Sequence, residues 1–159
     1  MNAANDPAAW QNFYIMIGTA NAAITGLLFV ALALHLKQIL AHPVYKPRAI
    51  IVLVVLTTQI VISAIVLSPQ PRMLMGVEVL ILSLFFLALN TRYREPARLT
   101  AGSMLAFAIR VVYVWAGVSL ILGVGGGFYV LGGILTVTIV RSLTNCWALL
   151  TALEDEPAA

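Results

Sequence analysis

The chain runs as long apolar stretches broken by short polar or glycine-rich segments, with no sustained alternation of hydrophobic and polar positions. Five stretches reach the roughly 20 residues of helix that a bilayer core of about 30 Å requires. They cover residues 12–36, 49–67, 72–90, 103–124 and 127–151. Backbone groups in lipid must be satisfied within their own segment, so all five are predicted helices. Continuous rather than alternating hydrophobicity excludes a closed β-barrel.

The breaks are of three kinds. Pro43 and Pro47 interrupt the first connection, and Pro69 and Pro71 the second, each removing a helical donor and restricting the residue before it. The third connection, TRYREPARLTAG, is the most charged stretch of the chain. The fourth, GVGGG at residues 123–127, predicts a tight hairpin or a half-buried re-entrant turn.

Composition sharpens this picture. The 159 residues are 62% hydrophobic and only 9% charged, with a mean hydropathy of +1.00. That leaves too little polar chain to cover a water-facing surface. A cytosolic enzyme, a disulfide-stapled secreted domain and a disordered tail are all excluded. The expected fold is all-α, a single integral membrane bundle of five transmembrane helices over residues 1–159.

Net charge is +3, and the basic residues read first as topology signals. The first and third connections hold Lys37, Lys46, Arg48, Arg92, Arg94 and Arg98, whereas the second holds Arg72 alone. The positive-inside rule therefore predicts an outside N-terminus and a cytoplasmic C-terminus. The opening MNAANDPAAWQNFY has neither a basic start nor a cleavage site, so no cleaved signal peptide is expected. No basic patch interleaved with aromatics exists, so no nucleic-acid partner is expected. Cys146 is the lone cysteine, which excludes an intrachain disulfide and predicts a small packing residue.

The buried polar positions carry any chemistry. In the fifth run Thr138, Arg141, Ser142 and Asn145 recur at i, i+3, i+4 and i+7, which puts them on one helix face. Arg141 lies about 15 Å from the cytoplasmic end at 1.5 Å per residue, a depth that snorkelling would barely reach. Such a stripe must face the bundle interior, a water-filled cavity or a partner. Glu78 is the only acid within the spans, and an ionised carboxylate there costs on the order of 3 kcal/mol. Arg110 is near enough to its helix end to snorkel. Glu78 and Arg141 are therefore the expected ion pair, fixing helix register or forming a relay or anion-attracting constriction.

The first run carries Gly18, Ala22 and Gly26 in a small-residue stripe that predicts close helix packing. Asn21 and Thr25 beside it are expected to hydrogen-bond across a helix interface. In the second run Thr57, Thr58, Gln59 and Ser63 either line the same interior as the Arg141 stripe or bond back to their own helix. Trp10, Phe13, Tyr14 and Tyr93 read as interfacial anchors, and Trp115 and Trp147 as packing residues. His35 and His42 lack a carboxylate to orient them, so no metal or haem site is expected. No cofactor is expected either, and no lysine lies mid-span. There is no carboxylate pair, Ser/His/Asp set, H-E-x-x-H or Walker loop, so the protein is expected to be non-enzymatic.

Taken in order, AWQNFYIMIGTANAAITGLLFVALALHL, HPVYKPRA, GVEVL, GGGFYVL and NCWALL resemble a group of small uncharacterised polytopic bacterial inner-membrane proteins. The resemblance implies an integral bundle in a bacterial cytoplasmic membrane and no particular activity. The expected function is helix–helix assembly in the lipid bilayer, as a homo-oligomer or as an accessory subunit among other membrane subunits. The alternative is an ion or small-solute channel lined by the fifth-helix stripe and Glu78. A third reading, contact with anionic lipid headgroups through Lys46, Arg48, Arg92 and Arg94, competes with the topological role of the same charges.

Overall fold

A computed structural model describes residues 6–41, 43–93 and 101–154, without the side chains of 89–93, 101–103 and 153–154. All regular structure among them is helical: α1 Pro7–Leu34, α2 Leu36–Ala41, α3 Tyr45–Leu67, α4 Arg72–Tyr93, α5 Ala101–Leu122 and α6 Gly127–Glu154. Four helices are long and apolar enough to cross a membrane, within α1, α3, α5 and α6. α4 is 22 residues long, with side chains described as far as Ala88.

Helix ends differ from the expected boundaries for local reasons. α1 begins at Pro7 because the Asp6 side chain accepts the Ala8 N–H at 3.1 Å. Proline at the first position then loses no useful donor. α3 begins at Tyr45, before the expected start at 49, because Pro47 falls in its first turn, where a missing N–H is harmless. At the other break Gly123, Gly125 and Gly126 take φ of 73°, 78° and 65°, the left-handed region open to glycine. The Ser119 hydroxyl donates to the Val124 carbonyl across this turn. The four residues join α5 to α6 directly, which makes this connection a tight turn. The Arg72 guanidinium lies against Gly123, so the α3–α4 and α5–α6 turns meet at one end of the bundle. That is the glycine-turn end; α2 and Pro43 mark the opposite, Pro43 end.

α1 packs along α3, α4 along α5, and α6 joins the two pairs, while the consecutive helices α3 and α4 touch only lightly. One apolar core fills the glycine-turn end, with Tyr14, Val79, Leu120, Phe128 and Leu131 fully buried. A second ties α1, α2, α3 and α6 together through Leu28, Leu32, Ile39, Val52, Leu56 and Leu149. Among the described residues, α4 buries none beyond Ser83 and α5 none before Ala116. The α4–α5 hairpin is thus anchored at the glycine-turn end and leaves a cleft against α3 and α6 toward the Pro43 end.

Its anchor is a close crossing of two glycines. A Cβ on Gly76 would lie 2.8 Å from the Ile121 backbone nitrogen and 3.0 Å from the Gly117 carbonyl oxygen, and one on Gly117 would lie 3.0 Å from Leu80 N. Small residues let helix backbones approach in this way.

Candidate functional site

The cleft between α3, α4, α5 and α6 has a volume of about 740 Å³. Its walls are mostly apolar, including Ile50, Ile51, Val54 and Val55 of α3, Leu82 and Phe86 of α4, and Ile109 of α5. Into it project Arg110 and Tyr113 from α5 and Thr138, Arg141, Ser142 and Asn145 from α6, with Thr58 and Ser83 opposite. The fifth-run stripe therefore lines one cavity, where Arg110 joins it. Arg110 is twelve residues from Leu122 and Arg141 fourteen from Gly127. At 1.5 Å per residue the two cations lie about 18 and 21 Å from the glycine-turn end, at nearly one depth.

Three of the hydroxyls around them are committed to backbone. Thr138 Oγ1 donates to the Ile134 carbonyl at 2.6 Å, Ser83 Oγ to Val79 at 2.6 Å and Thr58 Oγ1 to Val54 at 2.7 Å. Tyr113 donates in turn to Thr138 Oγ1 at 3.4 Å. With their protons engaged, these hydroxyls retain acceptor lone pairs. Further N–H donors come from the guanidiniums, which also make contacts within the protein. Among the described lining residues there is no Asp or Glu. Toward the glycine-turn end the fully buried core of Tyr14, Val79, Leu120, Phe128 and Leu131 lies beyond the cleft, so its described walls form a pocket closed on that side.

Glu78 lies elsewhere. Its Oε2 accepts the Gln70 Nε2–H at 2.8 Å, and the same amide reaches the Ile65 carbonyl at 3.1 Å. Six residues into α4, Glu78 is about 9 Å from the glycine-turn end, about 12 Å or two helical turns from the level of Arg141. The expected Glu78–Arg141 pair gives way to a local bond because Gln70, in the α3–α4 turn, lies at the same end as the carboxylate.

The α1 expectations also change. Asn21 Nδ2 donates to the Ile17 carbonyl at 2.9 Å and Thr25 Oγ1 to the Asn21 carbonyl at 2.6 Å, so both bonds stay within the helix. Of the small-residue stripe, Gly18 abuts Ser63, with an added Cβ 3.0 Å from Ser63 Cβ, whereas Ala22 is exposed and Gly26 meets nothing within 4 Å. A row of i, i+4, i+8 positions is inclined to the helix axis and winds off the packed face. Gln59 and Ser63 are buried, Ser63 against α1, and only Thr58 of the second-run polar set lines the cleft. Asn21 Oδ1, both Gln59 amide atoms and Ser63 Oγ are buried with no hydrogen-bond partner among the described residues.

The aromatics are distributed unevenly. Trp10, Phe13 and Tyr14 form a ring cluster with Phe128 and Tyr129 at the glycine-turn end, in which Tyr14 and Phe128 are buried, Trp10 and Phe13 half-buried and Tyr129 exposed: the Trp10 and Tyr129 centroids are 4.5 Å apart, and the Tyr14 hydroxyl donates to the Phe128 carbonyl at 3.1 Å. Trp115 and Trp147, expected to pack, are 58% and 71% exposed on the outer surface. Cys146 packs half-buried against the second core. His35 Nδ1 lies 3.1 Å from Gln38 Oε1, and His42 falls outside the described residues. So do Arg94, Glu95 and Arg98 and the side chains of Arg92 and Tyr93. No group of three His, Cys, Asp or Glu gathers among the described residues.

Sequence reading missed Tyr113, Ser83 and the apolar walls of the cleft. Tyr113 had a signal, since it follows Arg110 by three residues and shares its face. No family model, curated protein or solved structure matches the chain, so its residues alone carry the functional reading.

Proposed function

We propose that the protein is a five-span helical bundle, with α4 as the fifth span, whose cleft accepts an anionic ligand from within or beside the membrane. The observation that carries this is the convergence of Arg110 and Arg141 at one depth on a cleft whose described lining contains no acid. Guanidiniums in a low-dielectric wall bind carboxylate or phosphate oxygens through charge-assisted hydrogen bonds. The role is binding rather than bond-making, because the described lining offers no nucleophile beside a general base. The buried core beyond the cleft favours a binding pocket over a permanently open channel. The lysines and arginines of the first and third connections support an outside N-terminus, a cytoplasmic C-terminus and a cleft on the cytoplasmic side. The resemblance of the chain supports a bacterial cytoplasmic membrane. The test is equilibrium binding of a panel of anions to purified protein in nanodiscs. One anion should bind one-to-one and lose about tenfold or more in affinity in Arg141→Gln, the scale of a charge-assisted bond.

A second reading, assembly with another copy or with other membrane subunits, is favoured by the exposed Ala22 and the open space around Gly26. Close helix approach at such positions is a known route to association in lipid. Gly26→Ile should reduce particle mass in mild detergent if this surface is used. An unchanged particle would remove α1 from any interface.

A further inference from the structure

We propose that the ligand of the cleft is a single-chain acyl anion, an oxyanion headgroup on one hydrocarbon chain, admitted sideways from the bilayer between α3 and α4; this rests on the anion-accepting reading above. The wall of α3 both lines the cleft and faces outward: Ile50 is 51% exposed, Ile51 59% and Val54 40%. α3 and α4 touch only lightly, and α4 buries no described residue beyond Ser83. The described rim of the cleft along α3 is therefore apolar, and on the five-span reading it meets the hydrocarbon of the bilayer. A hydrated inorganic ion would have to shed its water there before reaching either arginine, at a cost of many kcal/mol. A hydrocarbon chain moves from lipid onto an apolar wall with no such cost and brings the anion with it.

The volume suits one chain. At about 30 Å³ for each water-sized group, 740 Å³ holds on the order of 25 such groups, one acyl chain and a small head. A two-chain phospholipid is far larger. The arginines define the head. Each guanidinium carries five N–H donors in a planar fork, so contacts within the protein leave capacity for an oxyanion. Both line one cleft at nearly one depth, and a single carboxylate or phosphate would sit between them. Thr138, with its proton on the Ile134 carbonyl, offers an acceptor nearby to any protonated headgroup oxygen.

The experiment uses the full chain in lipid nanodiscs and native mass spectrometry with five probes: palmitate, palmitoyl lysophosphatidate, hexadecanol, acetate and inorganic phosphate. Palmitate or lysophosphatidate should bind one-to-one, and whichever binds more tightly distinguishes a carboxylate from a phosphate head. Hexadecanol should bind about tenfold more weakly or worse, and acetate and phosphate should not compete. Arg110→Gln and Arg141→Gln should each weaken acyl binding about tenfold, Arg141→Lys less, and Ile51→Trp should obstruct the mouth. Hexadecanol binding as well as palmitate overturns the acyl-anion assignment. That comparison needs only the wild-type protein, so it decides even if an arginine variant fails to fold. Acetate or phosphate binding in an arginine-dependent way, with palmitate unable to compete, overturns the acyl chain and leaves the anion site standing. Acyl binding indifferent to both arginines, or no binding by any probe, overturns both readings.

Discussion

A single methyl group on Gly76 tests how the α4–α5 hairpin is anchored. The new Cβ would lie 2.8 Å from both Cγ1 and the backbone nitrogen of Ile121, and 3.0 Å from the Gly117 carbonyl oxygen. The Ile121 side chain can rotate away, but the two backbone atoms cannot. α4 must therefore withdraw by roughly half an ångström, a gap that forfeits about a quarter of the dispersion well for contacts along the crossing. Overpacking of this kind costs about 1–3 kcal/mol. Gly133→Ala is the control, because Gly133 is also inside a helix and a Cβ there meets nothing within 4 Å. Any gain in helix propensity is common to both substitutions and cancels in the difference.

The assay is equilibrium unfolding in mixed micelles by SDS titration, followed by tryptophan fluorescence. Gly76→Ala should be less stable than Gly133→Ala by about 1–3 kcal/mol. Gly117→Ala should behave alike, since its Cβ would lie 3.0 Å from Leu80 N and 3.1 Å from Leu80 Cα. The double variant should lose less than the sum of the singles, because one withdrawal of α4 relieves both clashes. Equal stability of Gly76→Ala, Gly117→Ala and Gly133→Ala, or full additivity, would refute this account of the crossing.

Three further outcomes follow from contacts elsewhere. Tyr14→Phe removes the hydroxyl that donates to the Phe128 carbonyl and should lower stability by about 1 kcal/mol in the same titration, with no change in particle size. Replacing Asn21 and Gln59 together with Leu removes three buried polar atoms that have no partner among the described residues; stability should hold or rise, and a loss above about 2 kcal/mol would mean the two amides bond across the helices. In single-tryptophan variants, brominated lipid should quench Trp115 and Trp147 more strongly than Trp10, since Trp10 is half-buried among other rings while Trp115 and Trp147 are exposed. Equal quenching of all three would place Trp10 against lipid.

Period and length made the helices legible, and the i, i+3, i+4, i+7 recurrence placed Thr138, Arg141, Ser142 and Asn145 on one face. That face lines the cleft because polar groups in lipid have few places to go. Facing residues on other helices were not legible. Gly76 and Gly117 are 41 positions apart, and no local pattern marks either as a contact; the visible stripe of Gly18, Ala22 and Gly26 turns mostly outward. Charge counting paired Glu78 with Arg141 because it ignored depth, and a glutamine in a turn proved nearer than an arginine in a span. Hydropathy likewise cannot tell Trp115 facing outward from Tyr14 in the core, since both are apolar residues within helices.

The distribution of burial gives the cleft a physical basis. α1, α3 and α6 share apolar cores toward both ends of the bundle, whereas the described buried residues of α4 and α5 lie in the half nearer the glycine turns. Local stability follows buried contact, and among the described residues the Pro43 half of α4 and α5 has the least of it. Arg110 stands in that half and Arg141 on the firmly held α6. A bound anion contacting both would therefore tie the weakly held hairpin to the rigid part of the bundle. If the cleft takes such an anion, protection of α5 backbone amides from hydrogen exchange should rise with ligand while that of α1 stays constant, because the ligand would bind only the state in which both arginines face the cleft.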